Sequence, residues 1–187
     1  MIVLFLEYIP HTLYNYLAKN ENYAEKFYTQ SIKIVKFLNN NNILHNDSHI
    51  GNYLVDDKGI LYLTDFGLSL DKDFDLNIHE KKFMRLNKKL DLFYTHDDLF
   101  SIYFNKVYYN KKLYNKYKLG DINTLEISNF ILDNLDQLNK EIDNPLSKFH
   151  VYFLQKNKVN IIKYVEWFRN LRKSKNKETY FVNKLKI

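Results

Sequence analysis

Apolar residues between Glu21 and Asn40 recur three and four apart: Ala24, Phe27, Tyr28, Ile34, Val35 and Leu38, with Ser31 on the same face. That spacing predicts an amphipathic helix, and the asparagines at 39–42 end it. Ahead of it Thr12 is a good N-cap for a short helix carrying Leu13, Tyr16 and Leu17. Met1 to Tyr8 is apolar and β-branched enough for a strand that Pro10 terminates. Tyr53-Leu54-Val55 and Ile60-Leu61-Tyr62-Leu63 read as the two strands of a hairpin around Asp57-Lys58-Gly59. From Asp71 to Lys89 the chain is polar with few apolar anchors. A helix is then predicted to open at Thr95, with Asp97 and Asp98 in its first turn. Lys106 to Gly120 carries no assignable period. Thr124 to Ile142 reads as one helix stopped by Asn144-Pro145, and a last helix is expected from about Asn160 through Leu171, before a basic tail.

The chain has 187 residues, room for one domain and little more, and its 45% hydrophobic content with 27% charged residues is that of a folded protein. A formal charge of +6 permits contact with anions, but Lys and Asn are spread along the whole sequence, so a specific nucleic-acid surface is not expected. With no cysteine, disulfides and thiolate metal sites are excluded. The apolar run at Ile2–Leu6 is too short for a membrane span and has no basic flank before it, so an intracellular, cytoplasmic protein is expected.

Candidate chemistry concentrates in His45-Asn46-Asp47-Ser48-His49-Ile50-Gly51-Asn52 and Thr64-Asp65-Phe66-Gly67. A tight hairpin between the two stretches brings the loop at its start close to the loop at its end. Asp47, Asn52 and Asp65 are then expected to face one small volume, where a metal-bound phosphate would fit. Asp56 and Asp57 are read as turn residues instead.

The order H-x-D-x-x-x-x-N, hairpin, D-F-G resembles the catalytic and metal-binding loops of the protein kinase superfamily. The resemblance implies a fold class: mainly α with a small β-hairpin, like a kinase C-lobe. It makes residues 1–10 the last N-lobe strand and hinge, with Glu7, Tyr8 and Ile9 meeting adenine, and residues 11–187 the C-lobe. It implies ATP and Mg²⁺ as cofactors, Asp47 as the group that takes the substrate hydroxyl's proton, and Asn52 and Asp65 as metal ligands. His45, Phe66 and Gly67 become supporting residues. Thr95-His96-Asp97-Asp98-Leu99 resembles the D-D-L helix start of casein-kinase-type enzymes, which gives Asp98 the task of accepting hydrogen bonds from the catalytic-loop backbone.

Three departures bear on function. Asn46 replaces the arginine that in many kinases pairs with a phosphorylated activation segment. His49 stands where a lysine is usual, and H-x-D-x-H-x-x-N is similar to the loop of aminoglycoside and choline phosphotransferases. Four glycines in all leave no glycine-rich phosphate loop, and the strand lysine and helix glutamate of an upper lobe are not found. The expected function is therefore phosphoryl transfer to protein serine or threonine by the catalytic half of a kinase, served by a separate N-lobe or activating chain. The alternatives are a catalytically inactive remnant used as a binding module, and a small-molecule phosphotransferase. The Asn, Lys, Ile and Tyr bias is compatible with an AT-rich genome such as that of a large DNA virus.

Overall fold

The computed structural model describes residues 7–20 and 23–173. Most of the strand expected at Met1–Tyr8 lies outside the described residues; Glu7 to Pro10 carry no regular secondary structure, and Tyr8 is exposed. Strand β1 (His11–Thr12) runs into helix α1 (Leu13–Lys19), capped as expected by Thr12, whose Oγ1 accepts from the Asn15 backbone N–H at 3.3 Å. Helix α2 (Tyr23–Asn40) buries Tyr23, Ala24, Phe27, Ser31, Val35 and Leu38. Asn42, in the left-handed region at φ 56°, turns the chain into β2 (Ile43–Leu44).

The hairpin forms where the sequence placed it. Strands β3 (Tyr53–Val55) and β4 (Leu61–Leu63) pair antiparallel, and β1 adds to β3, giving the order β1-β3-β4. One carboxylate oxygen of Asp56 accepts from Lys58 N at 2.9 Å and Ile60 N at 2.7 Å, so Asp56 is the turn residue it was read as. Asp57 pairs with His11 at 2.9 Å. Strand β5 (Leu70–Asp71) returns to pair antiparallel with β2.

The polar stretch after β5 contains helix α3 (Ile78–Leu86), nucleated by a capping box in which Asn77 and Glu80 serve each other's backbone N–H groups. Helix α4 (Leu90–Tyr108) begins five residues before the expected start at Thr95. Leu90 and Phe93 are buried, so the apolar face that continues through Leu99, Phe100, Tyr103 and Val107 starts earlier, and Asp91 rather than Asp97 or Asp98 occupies the first turn. The tract without an assignable period holds the end of α4 and helix α5 (Lys111–Lys116). The single helix expected over Thr124–Ile142 is two, α6 (Thr124–Asp133) and α7 (Leu135–Glu141), broken where the Asn134 side chain bonds back to Phe130 O at 2.8 Å. Helix α8 (Lys148–Lys173) starts well before Asn160, with Ser147 Oγ accepting from His150 N.

The molecule is thus mainly helical with a small antiparallel sheet. Helix α4 runs through its centre, packed by α2, α6 and α8, and Leu99, Tyr103 and Val107 are wholly buried against Phe27, Ile131 and Leu154. A smaller cluster of Leu44, Leu90, Phe93 and Tyr164 lies beneath β2, where the candidate loop begins. Among the described residues no helix is long and apolar enough to cross a membrane.

Candidate active site

The segment His45–Asn52 leaves β2 with Asn46 in the left-handed region, φ 66°, a conformation that asparagine tolerates better than most residues. His45 is fully buried. Its Nε2 sits 3.0 Å from the Thr64 carbonyl, which can only accept, and its Nδ1 accepts from Asp47 N at 3.3 Å. These contacts select the neutral Nε2–H tautomer. The same ring meets Phe66 edge-on at 4.6 Å, tying the two loops together.

The loop is held from below by α4. Asp91, fully buried, accepts from His45 N at 2.8 Å, Asn46 N at 3.0 Å and Ser48 Oγ at 3.0 Å. Burial pushes its pKa up, and those hydrogen bonds oppose the rise. The sequence gives the loop-holding task to Asp98; the structure divides it. Asp98 lies buried mid-helix, not in the first turn, and the Ile50 backbone N–H is close enough to oppose the rise of its pKa. Burial, then the Asp97 carboxylate, raise the Asp98 pKa well above the usual range. Asp91 is the residue that sequence reasoning missed. Its signal is a repetition: Asp91-Leu92-Phe93 recurs as Asp98-Leu99-Phe100, seven residues on, placing both carboxylates on one helix face.

Asp47 and Asn52 are joined directly. Asn52 Nδ2 donates to the Asp47 carbonyl at 2.8 Å and to Asp47 Oδ2 at 3.0 Å. With its N–H groups committed, Asn52 presents its carboxamide oxygen as the remaining acceptor. His49 Nδ1 accepts from Gly51 N at 3.0 Å, which turns Nε2 toward Asp47 Oδ1 at 3.6 Å, an ion pair only when the imidazole is protonated. A Cβ on Gly51 would lie 2.7 Å from His49 Cε1, so glycine leaves the His49 ring its place.

The hairpin carries Asp65 to the same end of the sheet. Tyr53 opposes Leu63, and the Asn52 carbonyl accepts from both Thr64 N at 2.8 Å and Thr64 Oγ1 at 3.0 Å, one residue before Asp65. Asp65 is exposed and left-handed, φ 61° and ψ 64°, strain of the kind that accumulates at functional sites. A Cβ on Gly67 would approach its Oδ1 to 3.3 Å, so the glycine leaves that carboxylate room. Glu7, Tyr8 and Ile9 have no contact with this group among the bonds described. No three His, Asp or Glu side chains among the described residues could by themselves hold a metal ion. The amide oxygen of Asn52 and the carboxylate of Asp65 are hard ligands suited to Mg²⁺ if phosphate oxygens complete the shell.

No protein-family model matches the chain. Individual relatives do. A 91-residue stretch is 36% identical to the serine/threonine-protein kinase STE11 of Saccharomyces cerevisiae, covering 46% of this chain and 11% of that protein. The mitogen-activated protein kinase kinase kinase A of Dictyostelium discoideum is 39% identical over 71 residues, 35% of this chain and 8% of that one. The serine/threonine-protein kinase ppk31 of Schizosaccharomyces pombe is 28% identical over 127 residues, 67% and 12% respectively. These likenesses support a kinase-like relationship. The chain spans about a tenth of the length of these relatives.

Proposed function

We infer that the chain is the catalytic half of a serine/threonine protein kinase, a C-lobe that transfers the γ-phosphoryl group of Mg-ATP to a protein hydroxyl. The observation that carries this reading is the bonded Asp47–Asn52 pair, with Thr64, the residue before Asp65, hydrogen-bonded to the Asn52 carbonyl and the start of the loop fastened to α4 through Asp91. Phosphoryl transfer asks a protein mainly for positioning and charge stabilisation, which a rigid loop provides. Asp47 orients the substrate hydroxyl and takes its proton as the oxygen bonds to phosphorus and the bond to the β-phosphate oxygen breaks. Asn52 holds the Asp47 carboxylate in place and, with Asp65, supplies oxygen ligands for Mg²⁺. The metal, when bound, spreads the charge of the phosphate oxygens. Backbone groups of Glu7 to Ile9 would meet adenine. The cationic contact to the α and β phosphates would come from an upper lobe, and exposed Phe66 and Leu68 give such a lobe apolar surface to cover.

The test is Mg²⁺-dependent transfer of labelled phosphate from ATP to protein serine or threonine, by the chain alone and with a kinase upper lobe supplied. Asp47→Asn and Asp65→Ala should each lower the rate by about 10²–10⁴-fold; full activity in both would overturn the assignment. The approach of His49 Nε2 to Asp47 keeps a second reading, transfer to a small-molecule hydroxyl. Labelling of an aminoglycoside or choline, with no labelled protein, would decide for it. A chain that neither transfers phosphate nor shifts its melting temperature with Mg-ATP is a binding module.

A further inference from the structure

A concavity of about 340 Å³ opens between the end of α2, the β2–β5 pair and α3, and none of Asp47, Asn52 and Asp65 lines it. That volume suits a small molecule. Leu44, Leu76 and Met84 give it an apolar wall, the first two of them buried. Four cationic side chains, Lys72, Lys81, Arg85 and Lys88, also line it.

These cations come from separate parts of the chain. Lys72 follows β5, and its backbone N–H extends the β2–β5 ladder to the Asn42 carbonyl at 3.2 Å. Lys81 and Arg85 stand four apart on α3 and so share a face, and Lys88 lies just beyond its end. Like charges at that spacing destabilise a helix, so folding gathers them at a cost. No carboxylate lines the cavity to offset them. Among the described residues none of the four head groups has a hydrogen bond or an ion pair. The acids nearby in sequence serve elsewhere: Glu80 takes the Asn77 N–H in the α3 capping box and Asp71 takes the Asp73 N–H, while Asp73 and Asp75 are exposed and outside the lining.

Four cations around one concavity call for a compact multivalent anion. A phosphomonoester carries about −1.5 to −2 charge near neutral pH and three acceptor oxygens, and an arginine fork meets it with two parallel bonds. The apolar wall gives the organic body of such an ester a surface to bury. We propose that this cavity binds a small organic phosphate, its dianion among Lys72, Lys81, Arg85 and Lys88 and its apolar body against Leu76 and Met84. The occupant would bridge α3 to the β2–β5 pair, and β2 leads directly into His45. Binding does not depend on the kinase reading, and it is measurable without any activity.

The test is an NMR titration of the full chain with phenyl phosphate, benzoate, benzyl alcohol and inorganic phosphate, followed at the amides of Ile43, Leu76 and Met84. Phenyl phosphate is expected to bind at least about tenfold more tightly than benzoate, which carries the ring with a single charge, or inorganic phosphate, which has no body, and benzyl alcohol is expected to bind weakest. Arg85→Glu, at an exposed position, should weaken phenyl phosphate by at least about fivefold, and Lys72→Glu repeats the measurement from another segment should Arg85→Glu fail to fold. Lys112→Glu, an equal change of charge at an exposed position on α5, should leave the affinity within about twofold. Equal affinity for benzoate or inorganic phosphate, an equal loss in Lys112→Glu, or no perturbation of the cavity amides by phenyl phosphate would each overturn the proposal. So would a DNA oligonucleotide or a phosphotyrosine peptide that shifts the same amides at lower concentration than phenyl phosphate, since the cavity would then belong to a macromolecular partner.

Discussion

A single buried carboxylate, Asp91, satisfies two backbone N–H groups and a hydroxyl at the start of the candidate loop. Removing it strands donors that water cannot reach, at about 1–3 kcal/mol for each group left unmatched. Asp91→Ala is therefore expected to destabilise the protein by about 2–5 kcal/mol in urea unfolding, and Asp91→Asn by less, since the amide retains one acceptor oxygen. The same scale governs Gly51. In Gly51→Ala the new methyl would drive the His49 ring aside, breaking its bond to the residue-51 N–H and its approach to Asp47. The expected result is a near-native melting temperature with a changed nitrogen chemical shift at His49 Nδ1, reporting loss of the fixed tautomer. An unchanged shift would show that the loop yields instead of the ring.

At the scale of elements, α8 is fastened to α4 by His150, which reaches the Leu99 carbonyl from within the core. Burial lowers both His150 and His96, the latter on α4, to about 4. The unfolded chain takes up protons on these rings below about pH 6.5, whereas the folded chain resists until about pH 4, so stability present above 6.5 is lost as pH falls through that window. Asp97 acts in the opposite sense: burial raises it to about 7, so the folded state holds its proton longer and stability declines as pH rises from about 4 to 7. His150→Gln should remove one of the two histidine contributions. Its stability relative to the parent should improve by about 2–3 kcal/mol between pH 7 and pH 4.5, read from urea midpoints at the two pH values. Two of the helices on this side were the least legible in the sequence. The start of α8 depends on a serine cap at Ser147 that periodicity does not register, and α4 hides its first turn behind Lys88 and Lys89. The hairpin and α2 were legible because two short apolar runs flank the Asp57-Lys58-Gly59 turn and a three-four repeat admits one helix face.

For the molecule as a whole, the candidate site was readable as far as motif spacing reaches. The positions of Asp47, Asn52 and Asp65 follow from a short hairpin, and a hairpin's register is local. What holds them is not local: Asp91 is more than forty residues from His45 in sequence, and only the packing of α4 beneath β2 brings it there. The cluster of Leu44, Leu90, Phe93 and Tyr164 makes that junction. Phe93→Ala would leave a cavity directly under the loop and is expected to cost about 3–5 kcal/mol. The loss should appear as faster hydrogen exchange at His45 and Asn46 before the rest of the core; uniform exchange would mean that loop and core open together.

The paired Asp-Leu-Phe triplets make α4 a gauge as well as a support. Seven residues of helix advance about 10.5 Å and return nearly to the same azimuth, so Asp91 and Asp98 point at the loop in phase. One residue inserted between them would leave them about 80° apart in azimuth, and no rotation of the helix could then seat both. The distance from His45 to Ile50 is in effect written into the helix as a count, and insertions in α4 between the triplets should be tolerated far less well than insertions after Val107.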